Sequence, residues 1–151
     1  MDKIALALAT CMYAGYLPKF PGTWGTLTAI PIHFLIITLS APYYYGALGA
    51  ILILAIITAG MAEKIIDSQD PSVVVIDELI GMLIALIGAP LTIPTFFAAF
   101  CLFRFFDILK PFPVGWIDKH LHGGTGIVLD DVMAGLYTLG CLNICYYLGW
   151  L

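Results

Sequence analysis

The most restrictive feature of this sequence is where its charges are absent. Its ten Asp and Glu and six Lys and Arg fall within residues 2–3, 19, 63–78 and 104–131, and the long runs between carry none. A charge costs about 2.5–3.5 kcal/mol at the centre of an inserted helix, so uncharged apolar runs of this length point to lipid. Composition agrees: 62% of residues are hydrophobic, 11% are charged and the mean hydropathy is +1.02, against roughly 45–50% apolar and 25% charged in soluble domains. The pattern predicts an all-α, polytopic membrane helical bundle, one domain over residues 1–151. It holds about four to five membrane helices of roughly 20 residues, with short interfacial helices beside them.

The connections near residues 41–45 and 88–94 are charge-free, so alternating spans bring every charged block to one face. All Lys and Arg gather there, which makes that face cytoplasmic. A net charge of −4 excludes a nucleic-acid partner, because no basic surface exists to neutralise phosphates. Nothing in the pattern fixes an oligomeric state. Cys11, Cys101, Cys141 and Cys145 form no CxxC pair and read as core packing. The opening MDKIALALATCMYAG superficially resembles a signal peptide but has a barely basic start, so a short interfacial or re-entrant helix fits better.

Three segments carry chemistry. In residues 17–26, Gly22 and Gly25 expose backbone and Thr23 or Thr26 can cap the apolar helix that follows, giving either an anion-binding turn or a capped helix start. In residues 72–82, adjacent Asp77 and Glu78 are embedded between apolar runs and face different directions, since successive helical residues lie about 100° apart. In residues 104–137, Arg104, Asp107 and Lys110 share one helical stripe that Pro111 ends, and Gly123, Gly124 and Gly126 open a loop ahead of Asp130 and Asp131. The amides of that loop suit an anion. Trp116 to His122 is amphipathic enough to lie along an interface. Lone His33 reads as packed or interfacial, Asp118 and Lys119 as solvated surface charges, and His120 or His122 as possible proton-transfer groups.

So many carboxylates on one face repel unless protons or cations intervene. Oxygen donors without a Cys or His set favour a hard ion, Mg²⁺ above all. With the ion in place, Arg104, Lys110 and the glycine amides could take an anionic phosphate. Metal-assisted phosphoryl hydrolysis at a membrane surface follows as the reaction class.

PGTWGTL, DPSVVVIDELIGM and FRFFDILKPFPVGWIDKHLHGGTGIVLDDVMAGLY, spanning residues 21–137, resemble the three blocks of the phosphatidylglycerophosphatase A family. The resemblance implies a bacterial inner-membrane enzyme, multi-pass and facing the cytoplasm, that uses Mg²⁺ to convert phosphatidylglycerophosphate to phosphatidylglycerol and inorganic phosphate in the lipid bilayer. Carried over position by position, it implies Asp77, Glu78, Arg104, Asp107, Lys110, Asp130 and Asp131 as the site residues. Among them Asp77, Glu78, Asp130 and Asp131 are expected to hold the metal, with Asp77 and Asp131 also catalytic. Asp107 is a ligand or general base, and Arg104 and Lys110 are phosphate grips, Lys110 also catalytic. Gly22, Thr23, Gly25, Gly124 and Gly126 are the substrate-binding backbone. Either metal-held water or an aspartate is the nucleophile. A CDP-alcohol phosphotransferase is the weaker alternative because its D-x-x-D-G-x-x-A-R array is missing. A small ion-coupled transporter predicts charges spread through the spans instead of gathered at one face.

Overall fold

Prolines mark where several helices begin. Pro21, Pro42 and Pro94 sit in the first turns of their helices, where a missing N–H costs nothing and the fixed φ suits entry. The computed structural model describes residues 2–150. Its helices are α1 (Asp2–Ala9), α2 (Pro21–Ile36), α3 (Ala41–Ile66), α4 (Ile76–Ala85), α5 (Ile93–Leu109), α6 (Val114–His120) and α7 (Gly123–Tyr147), with a 3-10 turn at Ala14–Tyr16. No strand occurs among the described residues.

The helices pack with α4 at their centre. It packs most extensively on α7 and also on α2, α3 and α5, and Ile80, Met82 and Leu83 on it are fully buried. Close approach comes from glycine. A Cβ on Gly81 would lie 2.6 Å from the Asp131 carbonyl and 2.7 Å from the Phe103 ring, and one on Gly135 would overlap the Gly81 carbonyl. The α4 and α7 backbones therefore meet with no side chain between them.

Helix lengths refine the expected architecture. Among the described residues two helices, α3 with 26 residues and α7 with 25, are long and apolar enough to cross a membrane. The 16 residues of α2 and 17 of α5 rise 1.5 Å each and fall short of a hydrocarbon core of about 30 Å. Of the four to five membrane helices expected, two meet the requirement by themselves. Much apolar surface still faces outward, including Ile53 and Ile57 on α3, Phe97 and Ile108 on α5, and Leu136 and Ile144 on α7. Lipid contact around the bundle accounts for such a surface better than water does.

The helix starts also differ from expectation. The segment expected to loop around Gly22–Thr26 is already helical, because Lys19 and Phe20 take left-handed φ values of 62° and 54° and turn the chain into α2 early. Thr23 and Thr26 are thus inside the helix and cap nothing, and the Thr26 hydroxyl donates to the Gly22 carbonyl at 2.8 Å. Likewise Gly123, Gly124 and Gly126 form the first turn of α7 rather than a loop. The N-terminal segment turns back on itself after α1, with left-handed Cys11, Met12 and Tyr13 and the Val75 amide donating to the Ala9 carbonyl at 2.9 Å.

Candidate active site

Four helix ends converge on one polar cleft. The first turns of α2 and α4, the last turns of α5 and the third turn of α7 enclose about 360 Å³, lined by Gly22, Asp77, Glu78, Arg104, Asp107, Lys110, Asp130 and Asp131 together with Phe20, Asp70 and Ser72. Its walls carry six carboxylates and two cations. Such an imbalance in a partly buried site calls for an added cation.

The carboxylates have capacity to spare. Asp77, Glu78 and Asp131 each offer an oxygen, and all three oxygens lie within 4.8 Å of one another. Asp77 is 8% exposed, Asp130 6% and Asp131 3%. Asp77 Oδ1, Glu78 Oε2, Asp130 Oδ1 and Asp131 Oδ1 are buried and make no hydrogen bond. Buried carboxylate oxygens are costly to leave unpaired. An all-oxygen, multiply anionic donor set fits a small hard dication such as Mg²⁺.

The two cations are held differently. Arg104 Nη1 lies 2.5 Å from Asp107 Oδ2, one turn along α5, and 3.7 Å from Glu78 Oε1, yet is aligned as a hydrogen-bond donor to neither. Lys110 caps α5 with a left-handed φ of 47°. Its Nζ bridges Asp118 Oδ1 at 2.5 Å and Asp130 Oδ2 at 2.8 Å. Burial alone would lower the Lys110 pKa, but the bonds to Asp118 and Asp130 outweigh it and raise the pKa above the usual lysine value. An ammonium has three N–H donors, so one remains for a ligand.

The structure gathers most of the sequence-derived set: Asp77, Glu78, Arg104, Asp107, Lys110, Asp130, Asp131 and Gly22 all line the cleft. Gly22 is there for closeness, since its Cβ would overlap Glu78 Oε1 and come within 2.8 Å of Arg104 Nη1. Gly25 lets α2 approach Val75, at 2.7 Å from a would-be Cβ. Thr23 is half-buried and does not line the cleft. Gly124 and Gly126 lie apart from it: Gly124 packs on the α3 backbone at Ile56 and Gly60, and Gly126 on the Leu121 carbonyl.

Asp118 departs from its expected role as a solvated charge, because α6 folds back and delivers it to Lys110. His120 Nδ1 instead sits 2.8 Å from the Trp116 carbonyl, with its ring stacked on Trp116. His122 lies near Gln69. Neither histidine lines the cleft. Asp70 and Ser72 were missed by sequence reasoning, although the charged run ending at Pro71 and leading straight to Asp77 was a usable signal.

A family model described as phosphatidylglycerophosphatase A matches residues 7–146. The chain belongs to the phosphatidylglycerophosphatase A family. It is 35% identical over 143 residues to phosphatidylglycerophosphatase A of Escherichia coli strain K12, covering 94% of this chain and 81% of that protein. It is 34% identical to the Haemophilus influenzae protein of the same name, over 87% and 82% of the two chains. A Bacteroides thetaiotaomicron protein, named provisionally as a phosphatidylinositol-3-phosphatase, is 34% identical over 89% of each chain. No solved structure matches.

Proposed function

We propose that this member of the phosphatidylglycerophosphatase A family is a Mg²⁺-dependent enzyme that hydrolyses phosphatidylglycerophosphate to phosphatidylglycerol and inorganic phosphate. The observation that carries the reading is the cleft itself: four unpartnered buried carboxylate oxygens and two cations at the end of helices apolar enough for a membrane. The names of the two phosphatidylglycerophosphatase relatives supply the substrate.

Asp77, Glu78 and Asp131 would hold the metal, with Asp130 beside them. When bound, Mg²⁺ supplies the positive charge that admits an anionic phosphate and offsets charge developing on the transferring phosphoryl group. Arg104 orients that phosphate through guanidinium N–H groups not committed to a hydrogen bond. Lys110, at the end of the same helix, contributes its third N–H. Asp107 takes the proton from the attacking water as the new phosphorus–oxygen bond forms, and returns it to the glycerol oxygen as the bond from phosphorus to that oxygen breaks. The chain crosses the bilayer several times, with its cleft at the cytoplasmic face of a bacterial inner membrane. Every Lys and Arg lies in segments assigned to that side, which supports the orientation.

The test is phosphate release by full-length protein in detergent micelles, with Mg²⁺ and with chelator. Phosphatidylglycerophosphate is the expected substrate and Mg²⁺ the expected requirement. Phosphatidylinositol 3-phosphate belongs in the same panel because a 34% identical relative is named for it. No release from folded protein under any condition would sink the reading.

A further inference from the structure

Across α4 from the polar cleft lies a second, opposite kind of cavity. It holds about 390 Å³ between α1, α2, α3 and α4, and no charged side chain lines it. Its polar side chains have little to offer a ligand. The Thr28 hydroxyl donates to the Gly25 carbonyl at 2.6 Å, and the Cys11 thiol faces the Val75 carbonyl at 3.6 Å. Any occupant must therefore be neutral and apolar, since a polar group placed here would lose water and gain no partner.

Its position singles out one such occupant. On α4, Ile76 and Leu79 line the groove, whereas Asp77 and Glu78 between them line the cleft. On α2 the same partition recurs, with Gly22 at the cleft and Thr28, Pro31 and Ile32 one to three turns further along at the groove. The two cavities are thus successive along α2 and back to back on α4. A ligand that needs both is one molecule with an anionic head and an apolar tail.

We infer that the groove binds an acyl chain of the same phospholipid whose phosphate enters the cleft. This rests on the phosphatase reading and deepens it: the chain-length dependence of the enzyme is built into the α1–α4 side of the bundle. Turning back after α1 places Leu8, Cys11 and Met12 along one wall, which gives that short apolar segment a purpose.

Two measurements test it. The first compares kcat/KM for phosphatidylglycerophosphate with dioleoyl and with dihexanoyl chains. Wild type is expected to favour the long-chain lipid, and Ile32→Trp and Leu54→Trp, which fill the groove, to reduce that long-to-short ratio about tenfold, mainly through KM. Ile53→Trp, on the outward face of α3 beyond the groove, keeps the wild-type ratio. An unchanged ratio in both filled variants would overturn the inference.

The second uses phosphatidylglycerophosphate with a mid-chain diazirine and maps crosslinked peptides after irradiation. Crosslinks concentrated at residues 8–12 and 28–32 support the groove, and crosslinks spread evenly over outward residues such as Ile53 and Ile57 refute it. Because labelling needs no turnover, this arm separates the inference from the phosphatase reading. Loss of phosphate release on every substrate, with groove-centred labelling, would sink that reading and leave lipid binding standing.

Discussion

The two ends of the bundle solve opposite problems. At the cleft end, α2, α4, α5 and α7 present carboxylates, ammonium and guanidinium around a cavity and leave buried oxygens unpaired. At the far end, the turns near residues 37–40 and 86–92 carry no charge at all. His33 is the notable polar group toward that end, fully buried against Phe96 and unpartnered at both ring nitrogens. Polarity at one end is assembled and at the other merely tolerated. The difference predicts that substitutions removing polarity will cost activity at the cleft and raise stability at the far end.

The largest effect is expected from Asp131→Asn. It removes charge from the tightest carboxylate group, so phosphate release should fall at least about a hundredfold, the upper end of what losing a mere outer partner of a metal ligand costs. The melting temperature in detergent should hold or rise, because like charges no longer crowd each other. A simultaneous collapse of melting temperature would mean that Asp131 is structural and would break the contrast.

Asp118→Ala comes next. Lys110 would then be held by Asp130 alone, so kcat should drop roughly 10- to 100-fold and more Mg²⁺ should be needed for half-maximal activity. Asp118→Glu should recover part of the loss. Equal kcat in Asp118→Ala and wild type would show that the bridge is incidental.

A glycine pair sharpens the comparison further. Gly22→Ala drives a methyl into Glu78 and Arg104, an overpacking worth about 1–3 kcal/mol, and should lower both activity and stability. Gly46→Ala, on α3 with nothing within 4 Å of a new Cβ, should stabilise by about 0.5–1 kcal/mol with activity intact. Smallest is His33→Leu. Relieving two unsatisfied nitrogens should raise stability by about 1 kcal/mol and change phosphate release less than twofold, as read by thermal unfolding beside the micelle assay.

How much was visible in the sequence follows from how local each determinant is. Asp77 with Glu78 and Asp130 with Asp131 stood out because a charge inside an apolar run is conspicuous wherever it is placed. Arg104 and Asp107 were legible as a helical stripe, since i and i+3 meet on any helix. Helix entry was harder. The start of α2 depends on two non-glycine residues in left-handed conformation, Lys19 and Phe20, which no propensity favours. Asp118 was misread because its partner lies on another helix and only the fold-back of α6 brings them together. Gly124 and Gly126 looked like an anion loop, but their value lies in contacts with α3 and Leu121 that no local pattern records. Span number was the coarsest reading, because apolarity without length is common to α2 and α5.

The crossing of α4 and α7 bears on how such a protein can change over time. Gly81 and Gly135 occupy one shared space, so neither position accepts even a methyl group unless the helices part. Asp77 on α4 and Asp131 on α7 ride on the same two backbones. A larger residue at either glycine would therefore widen the gap between the carboxylates along with the gap between the helices. A lineage could vary the lipid-facing residues freely, yet these two glycines and the carboxylates above them can only be kept, or lost, together.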